Sequence, residues 1–222
     1  MSVQPVPLST TMPIASASSI AVLTALLEAR TGQQIAAYRS WRMDTALKPL
    51  LRERNLETLD QLVSDMLKGN DRVIGDRIVD ALLNQETSFY RDAPVFDTVV
   101  AAVEQAEAEK RRMRIWCAGC STGQEPLSLA MLFAERQEAT GKPVPEIVAT
   151  DVSDAAISRA RTGRYTQFEI QRGLPIRRMM RWFDGAGSDW MAKTKPKMPV
   201  AWLTTFSMRT RLIDPRIRFR MP

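Results

Sequence analysis

Residues 114–126, RIWCAGCSTGQEP, run from a short apolar strand through a glycine-bracketed loop into a helix. Gly119 and Gly123 let the backbone approach a ligand closely, and the strand-loop-helix order leaves free N–H groups at the helix start. That arrangement holds a nucleotide-like molecule. Glu125 and Pro126 suit the first turn of the helix, which Leu127, Leu129, Ala130, Met131, Leu132 and Phe133 continue as a largely apolar run. A second apolar strand, residues 146–151, ends in Asp151, and an acid at that point typically grips two ribose hydroxyls. The loop contains neither G-x-G-x-x-G nor G-K-[ST], so it matches neither a dinucleotide fingerprint nor a Walker loop; a methyl donor fits better.

Two other chemistries are written into the same loop. Residues 119–123 match the G-x-S-x-G nucleophile elbow, but the chain has no histidine to serve as its base. Cys117 and Cys120 form a C-x-x-C, which suggests redox chemistry or half of a zinc site. With two cysteines and no histidine, a complete zinc site cannot be assembled from this chain, so no metal is expected. The plainer reading is small residues in a tight loop.

The elements that position these residues follow from periodicity. Ser18 or Ser19 is expected to cap a helix with Ile20, Leu23, Leu26 and Leu27 on one face, ended by Gly32. Further helices are expected over residues 33–41, over 43–54 with a kink or fresh start at Pro49, after Thr58 to Gly69, and over 71–83. Residues 19–83 thus read as an all-helical domain. After residues 84–92, Pro94 opens a long helix to about Arg112. Strand 113–118, helix 126–138, strand 147–151 and helix 154–162 then alternate, the pattern of a parallel sheet with helical crossovers, with a third strand possible near 200–206.

Composition narrows the partners. The 222 residues, 45% of them hydrophobic, suffice for two modest domains. Residues 1–18, rich in Ser, Thr and Pro, read as a disordered tail, and the apolar run from Ile20 to Leu27 is far too short to span a bilayer. Two cysteines suit a reducing compartment, so a cytoplasmic location is expected. The net charge is +6, but residues 193–222 hold eight basic residues against Asp214 and so contribute +7. The body is left at −1, which argues against a nucleic-acid partner; the basic character belongs to the tail.

Three segments together resemble the chemoreceptor methyltransferase family, the CheR-type glutamate O-methyltransferases of bacterial chemotaxis. They are residues 85–92 (QETSFYRD), the loop 118–126, and residues 149–153 (ATDVS) with 160–165 (ARTGRY). The similarity runs from about residue 20 to about 190. It implies an α/β architecture in which an N-terminal helical domain precedes a Rossmann-like domain, here 84–192, that binds S-adenosyl-L-methionine. It also implies methylation of glutamates on chemoreceptor cytoplasmic helices. By the same resemblance Gln85, Thr87, Arg91, Glu125 and Asp151 contact the cofactor, with Gln85 where the family often has Asn, and Arg91 is the catalytic candidate. Glutamate is already ionised at neutral pH, so methyl transfer onto it needs positioning and electrostatic orientation, with no base. Arg91 would orient the carboxylate of the substrate or of the donor.

Each assignment has a plainer counterpart. Asp151 would cap the next turn, Glu125 complement the helix dipole, Arg91 pair with Asp92, and Phe89 and Tyr90 pack. Arg39, Arg42, Lys48, Arg52 and Arg54 read either as a docking face for an acidic receptor or as a solvated face. The family's later Asn-Leu pair and Cys-Arg-Asn-like segment have no counterpart, and the chain turns basic and atypical from 193. The expectation is therefore a catalytic domain that is partial, with the edge of its first strand open. The alternatives to an active enzyme are a non-catalytic receptor-binding module and, against the charge distribution, a nucleic-acid methyltransferase.

Overall fold

The computed structural model describes residues 15–35, 41–69, 73–111, 113–193 and 203–205. The chain divides into two units between Leu83 and Asn84. The first holds α1 (Ala17–Thr31), α2 (Trp41–Glu53), α3 (Leu59–Leu67) and α4 (Ile74–Leu82). Leu23, Leu27, Met43, Leu47, Leu62, Ile74 and Ile78 form its buried core, and α4 packs on both α1 and α2.

Local reading misplaced two features of this unit. The cap of α1 is Ser16, not Ser18 or Ser19: its side chain accepts from the Ser19 N–H. Asp60 on α3 fixes Ser16 by accepting from its N–H at 3.1 Å and its hydroxyl at 2.7 Å, a tertiary contact invisible to local pattern. Residues 17 and 18 are therefore helical rather than tail; residues 1–14 lie outside the described residues. No helix covers residues 33–35, and 36–40, which include Arg39, lie outside the described residues. Gly32 at φ +72° and the Gln33 N–H bonded to Thr31 Oγ1 turn the chain after α1. Pro49 sits inside α2, without a fresh start. Thr58 and Gln61 cap α3 reciprocally, as the S/T-x-x-Q pattern dictates.

The second unit opens with residues 84–92, which form neither helix nor strand, followed by α5 (Ala93–Ala108). This helix stops short of Arg112 because Lys110 takes a left-handed φ of +57°. Then come β1 (Arg114–Ala118), α6 (Gln124–Thr140), β2 (Glu146–Asp151), α7 (Asp154–Thr162), β3 (Arg164–Thr166), α8 (Gln167–Gln171), α9 (Ile176–Trp182), β4 (Phe183–Ala186), β5 (Asp189–Ala192) and β6 (Leu203–Thr205). Strands β1, β2 and β6 form a parallel sheet in that order, with Ala118 opposite Thr150 and Asp151 opposite Thr205. Five of the six residues of β2, the middle strand, are buried. Among the described residues β1 pairs with β2 alone. A second, antiparallel sheet, β3-β5-β4, has strands of three or four residues, too short for sequence periodicity to declare. Most of residues 193–222 lie outside the described residues.

Two apolar clusters hold this unit together. One joins Phe96 and Val103 of α5 to Cys117, Leu129, Phe133, Ile147 and Ala149. The other gathers Phe89, Met131, Tyr165, Ile170, Trp182 and Phe183, with Phe89 edge-on to Tyr165 at 5.2 Å and to Phe183 at 5.6 Å. Phe89 thus anchors residues 84–92, and the loop after α8 lies directly upon it. A Cβ on Gly173, whose φ is +85°, would stand 1.9 Å from the Phe89 carbonyl oxygen. Gly173→Ala combines a backbone clash with a left-handed non-glycine residue, so we expect it to destabilise the protein by about 2–4 kcal/mol. Chemical denaturation of the purified chain checks this; a wild-type midpoint would refute the close approach.

Candidate functional site

The site lies beside β1 and the loop that follows it, which is tied to the end of β2. The N–H groups of Gly119 and Cys120 both donate to the Thr150 carbonyl, at 2.8 and 2.9 Å, which folds the β1 loop over the end of β2. Asp151, buried, ties this arrangement down: Oδ2 accepts from the Ser121 N–H at 2.7 Å and Oδ1 from the Ser153 N–H at 2.9 Å. Ser121 holds a left-handed φ of +50° and donates its hydroxyl to the Gln85 carbonyl at 3.0 Å. One chain of bonds therefore links the end of β2, the β1 loop and the irregular 84–92 segment. Ser153 in turn caps α7 by accepting from the Ala156 N–H.

The two glycines of the loop divide their duties. Gly119, at φ +76°, lines a cavity, and a Cβ there would meet nothing within 4 Å. Gly123 faces the protein: a Cβ would stand 2.9 Å from Ala160 Cβ and 3.2 Å from the Tyr165 hydroxyl. Its missing side chain serves packing of α6 on α7, rather than approach to a ligand in this cavity. The Tyr165 hydroxyl donates to the Thr122 carbonyl at 2.9 Å, and burial pushes its pKa up, so it remains a donor at any physiological pH.

The cavity has a volume of about 410 Å³ and opens beside β1, α5 and the start of α6. Thr87, Arg91 and Glu125 line it together, as do Gly119, Cys117 and Cys120. Gln85 and Asp151 are not in the lining. Gln85 contributes its carbonyl to Ser121, and both Asp151 oxygens are engaged by backbone N–H groups. Arg91 is exposed and donates from Nη1 to the Glu86 carbonyl at 3.2 Å; among the described residues it forms no ion pair, with Asp92 or otherwise. Glu86, Asp92 and Glu125 line the cavity too, although the Glu86 carboxylate pairs with Arg172 at 3.2 Å, outside the lining. The lining therefore offers charges of both signs to a ligand.

Both cysteines are buried as free thiols. Burial, with the Glu125 carboxylate nearby, pushes the Cys117 pKa far up; burial and the Asp151 charge push that of Cys120 up to about 12. Neutral thiols of this kind do not act as nucleophiles, which disfavours the redox reading of the C-x-x-C.

Comparison with known proteins places this geometry. Residues 85–202, just over half of the chain, match the model for the CheR methyltransferase SAM-binding domain. The chain belongs to the CheR methyltransferase family. Similar proteins include a chemotaxis protein methyltransferase of Vibrio parahaemolyticus, 33% identical over 72% of this chain and 60% of its own length. Chemotaxis protein methyltransferase 1 of Pseudomonas aeruginosa is 31% identical over 72% of this chain and 61% of its own length. A further chemotaxis protein methyltransferase, from Pseudomonas putida, is 28% identical over 84% of this chain and 66% of its own length. The chain thus spans about 60% of the length of the first two relatives. The matched segment holds the α/β unit with its parallel strands, and the helical region precedes it. Among the described residues no helix is long and apolar enough to cross a membrane.

Within this CheR unit, sequence reasoning missed Glu86, Ser88, Asp92, Val95, Phe96, Val99 and Trp116 as cavity residues. A signal for part of them existed: Asp92, Val95, Phe96 and Val99 recur at helical spacing directly after the 85–92 segment. Trp116 gave none, because its position depends on the β1–β2 pairing and on its indole donating to Thr150 Oγ1 at 3.0 Å.

Asp151→Ala would leave two buried N–H groups unpaired, and we expect a loss of about 3 kcal/mol or more in urea unfolding, with Asp151→Asn recovering part of it. Loss of ligand binding in the alanine variant is then not by itself proof of a ligand contact. The raised thiol pKa values predict that neither cysteine reacts with a thiol reagent at pH 8 in the folded chain, whereas both react in denaturant. Fast reaction of either in the native state would contradict their burial.

Proposed function

We propose that the cavity binds S-adenosylmethionine and that the chain transfers its methyl group to glutamate carboxylates on chemoreceptor cytoplasmic helices. The observation that carries this reading is the convergence of Thr87, Arg91, Glu125 and Gly119 on one cavity beside β1, inside the segment the family model matches. The residues fit the group: the volume lies in the range of small-molecule sites, the open face of Gly119 admits close approach, and the charges are of both signs. Arg91 would take a carboxylate, and Glu125 and Asp92 the donor's ammonium or sulfonium charge.

The bound donor supplies an electrophilic methyl on a positively charged sulfur. A glutamate oxygen forms the new C–O bond as the C–S bond breaks, and the electron pair stays on sulfur, leaving a neutral thioether and a methyl ester. No proton moves, so a chain without histidine is chemically adequate. What the protein must provide is alignment of the attacking oxygen, the methyl carbon and the leaving sulfur, in a site shielded from water. Asp151 supports this through the loop it ties, whether or not it also meets the ribose.

Calorimetry of the purified chain with S-adenosylhomocysteine tests the reading. We expect micromolar binding, weakened about tenfold or more by Arg91→Ala and by Glu125→Ala, each the loss of one charge-assisted contact. Absence of binding by folded wild-type protein would reject the cavity as the donor site. Binding without methyl transfer to receptor helices would assign the chain a donor-binding but non-catalytic role.

A further inference from the structure

We propose that Arg178, on α9 and outside the cavity lining, is a positioning residue: it holds Tyr90 in its left-handed conformation and thereby fixes how Thr87 and Arg91 face the cavity. The consequence for ligand binding rests on reading that cavity as the donor site.

Residues 84–92 have no helix or strand to hold them, yet three of the expected ligand contacts stand on this segment, and two of these, Thr87 and Arg91, line the cavity. Tyr90, between the anchored Phe89 and Arg91, has φ +49°, a conformation aromatic residues avoid unless their surroundings enforce it. Its N–H donates to Ser128 Oγ at 3.2 Å, and Ser128 Oγ donates to the Gln124 carbonyl at 2.7 Å, which moors the backbone to the first turn of α6. The ring is held on its faces. Phe96 packs at 5.3 Å between centroids, and the Arg178 guanidinium carbon stands 4.6 Å from the ring centre. The hydroxyl adds nothing to this hold, because among the described residues it is buried without a hydrogen-bond partner.

Arg178 is itself fixed. Its Nε and Nη2 donate to Glu135 of α6 at 3.0 and 2.7 Å, and Glu135 also accepts from the buried Trp182 indole at 3.1 Å. Burial pushes the Glu135 carboxyl up, but the Arg178 and Trp182 bonds outweigh it and hold the carboxyl below its ordinary value, so the pair stays charged at neutral pH. A guanidinium alone can do this work, since its plane stacks on the ring while its fork binds the carboxylate. The arrangement gives α9 a lever on the site without touching a ligand.

Hydrogen exchange of the 88–92 amides, measured with S-adenosylhomocysteine calorimetry on the full chain, tests the proposal. In Arg178→Met the Tyr90 amide is expected to exchange about tenfold faster and binding to weaken about tenfold, from loss of the stacked, charge-bonded cation. Arg178→Lys, which keeps a cation over the ring, should restore part of both effects. Arg181→Met, one turn along α9 at an exposed ion pair with Glu138, should leave both at wild-type values. Unchanged exchange at residues 88–92 in Arg178→Met would overturn the proposal. So would an equal rise in β2 and α6, which marks general destabilisation. Should Arg178→Met fail to fold, wild-type exchange in Arg178→Gln, which also removes the cation from the ring, would overturn it instead. If wild-type protein binds no ligand, the donor reading fails while the exchange data still decide the role of Arg178.

Discussion

The site depends on one buried carboxylate. Asp151 sits at the end of the middle strand and accepts from backbone N–H groups in two different loops, those of Ser121 and Ser153. Such groups are costly to bury without partners, and a charged acceptor makes bonds roughly twice as strong as neutral ones. With the Thr150 carbonyl accepting from Gly119 and Cys120, β2 dictates the course of the β1 loop. The start of α6, the placement of Glu125 and the hold on Gln85 all follow from that course.

Backbone strain concentrates around the same place. Ser121 and Tyr90, both non-glycine residues with positive φ, stand on the two segments that frame the cavity. Each is held by bonds from outside its own segment, to Asp151 and Gln85 in one case and to Ser128 in the other. Strain of this kind persists only where the surrounding structure over-determines it. The apolar cluster beneath, with Phe89 wedged between Tyr165 and Phe183 and pressed by Gly173, provides that surplus. The small antiparallel sheet therefore contributes to the site from behind, through Tyr165 and Phe183.

A methyl transfer to a carboxylate asks little of a protein beyond geometry and charge. The cavity offers charges of both signs, and its lining contains no histidine. The thiols that might have suggested nucleophilic chemistry are buried and hard to ionise. The carboxylates around Arg91 set an electrostatic contrast within a few residues of chain, from Glu86 to Asp92, so the irregular segment carries most of the cavity's charge.

Local sequence determined much of this protein. The alternation of apolar strands and helices after residue 113, the reciprocal Thr58–Gln61 cap, the end of α1 at Gly32 and the bounds of α7 were all legible, because each rests on neighbours a few residues apart. Thr87, Arg91 and Glu125 line one cavity, but the family resemblance singled them out, not any local pattern. Tertiary structure alone decided the rest. Ser16 became the cap of α1 because Asp60 reaches it from another helix, and Gly123 serves Ala160 and Tyr165 rather than a cavity ligand. Asp151, read as a ribose ligand, also accepts from two backbone N–H groups that no local pattern announces, and Arg178 came to rest on Tyr90 from 88 residues further along the chain. Sequence periodicity reports which face of an element is buried, whereas the partner waiting there is set by packing between segments that are distant in the chain.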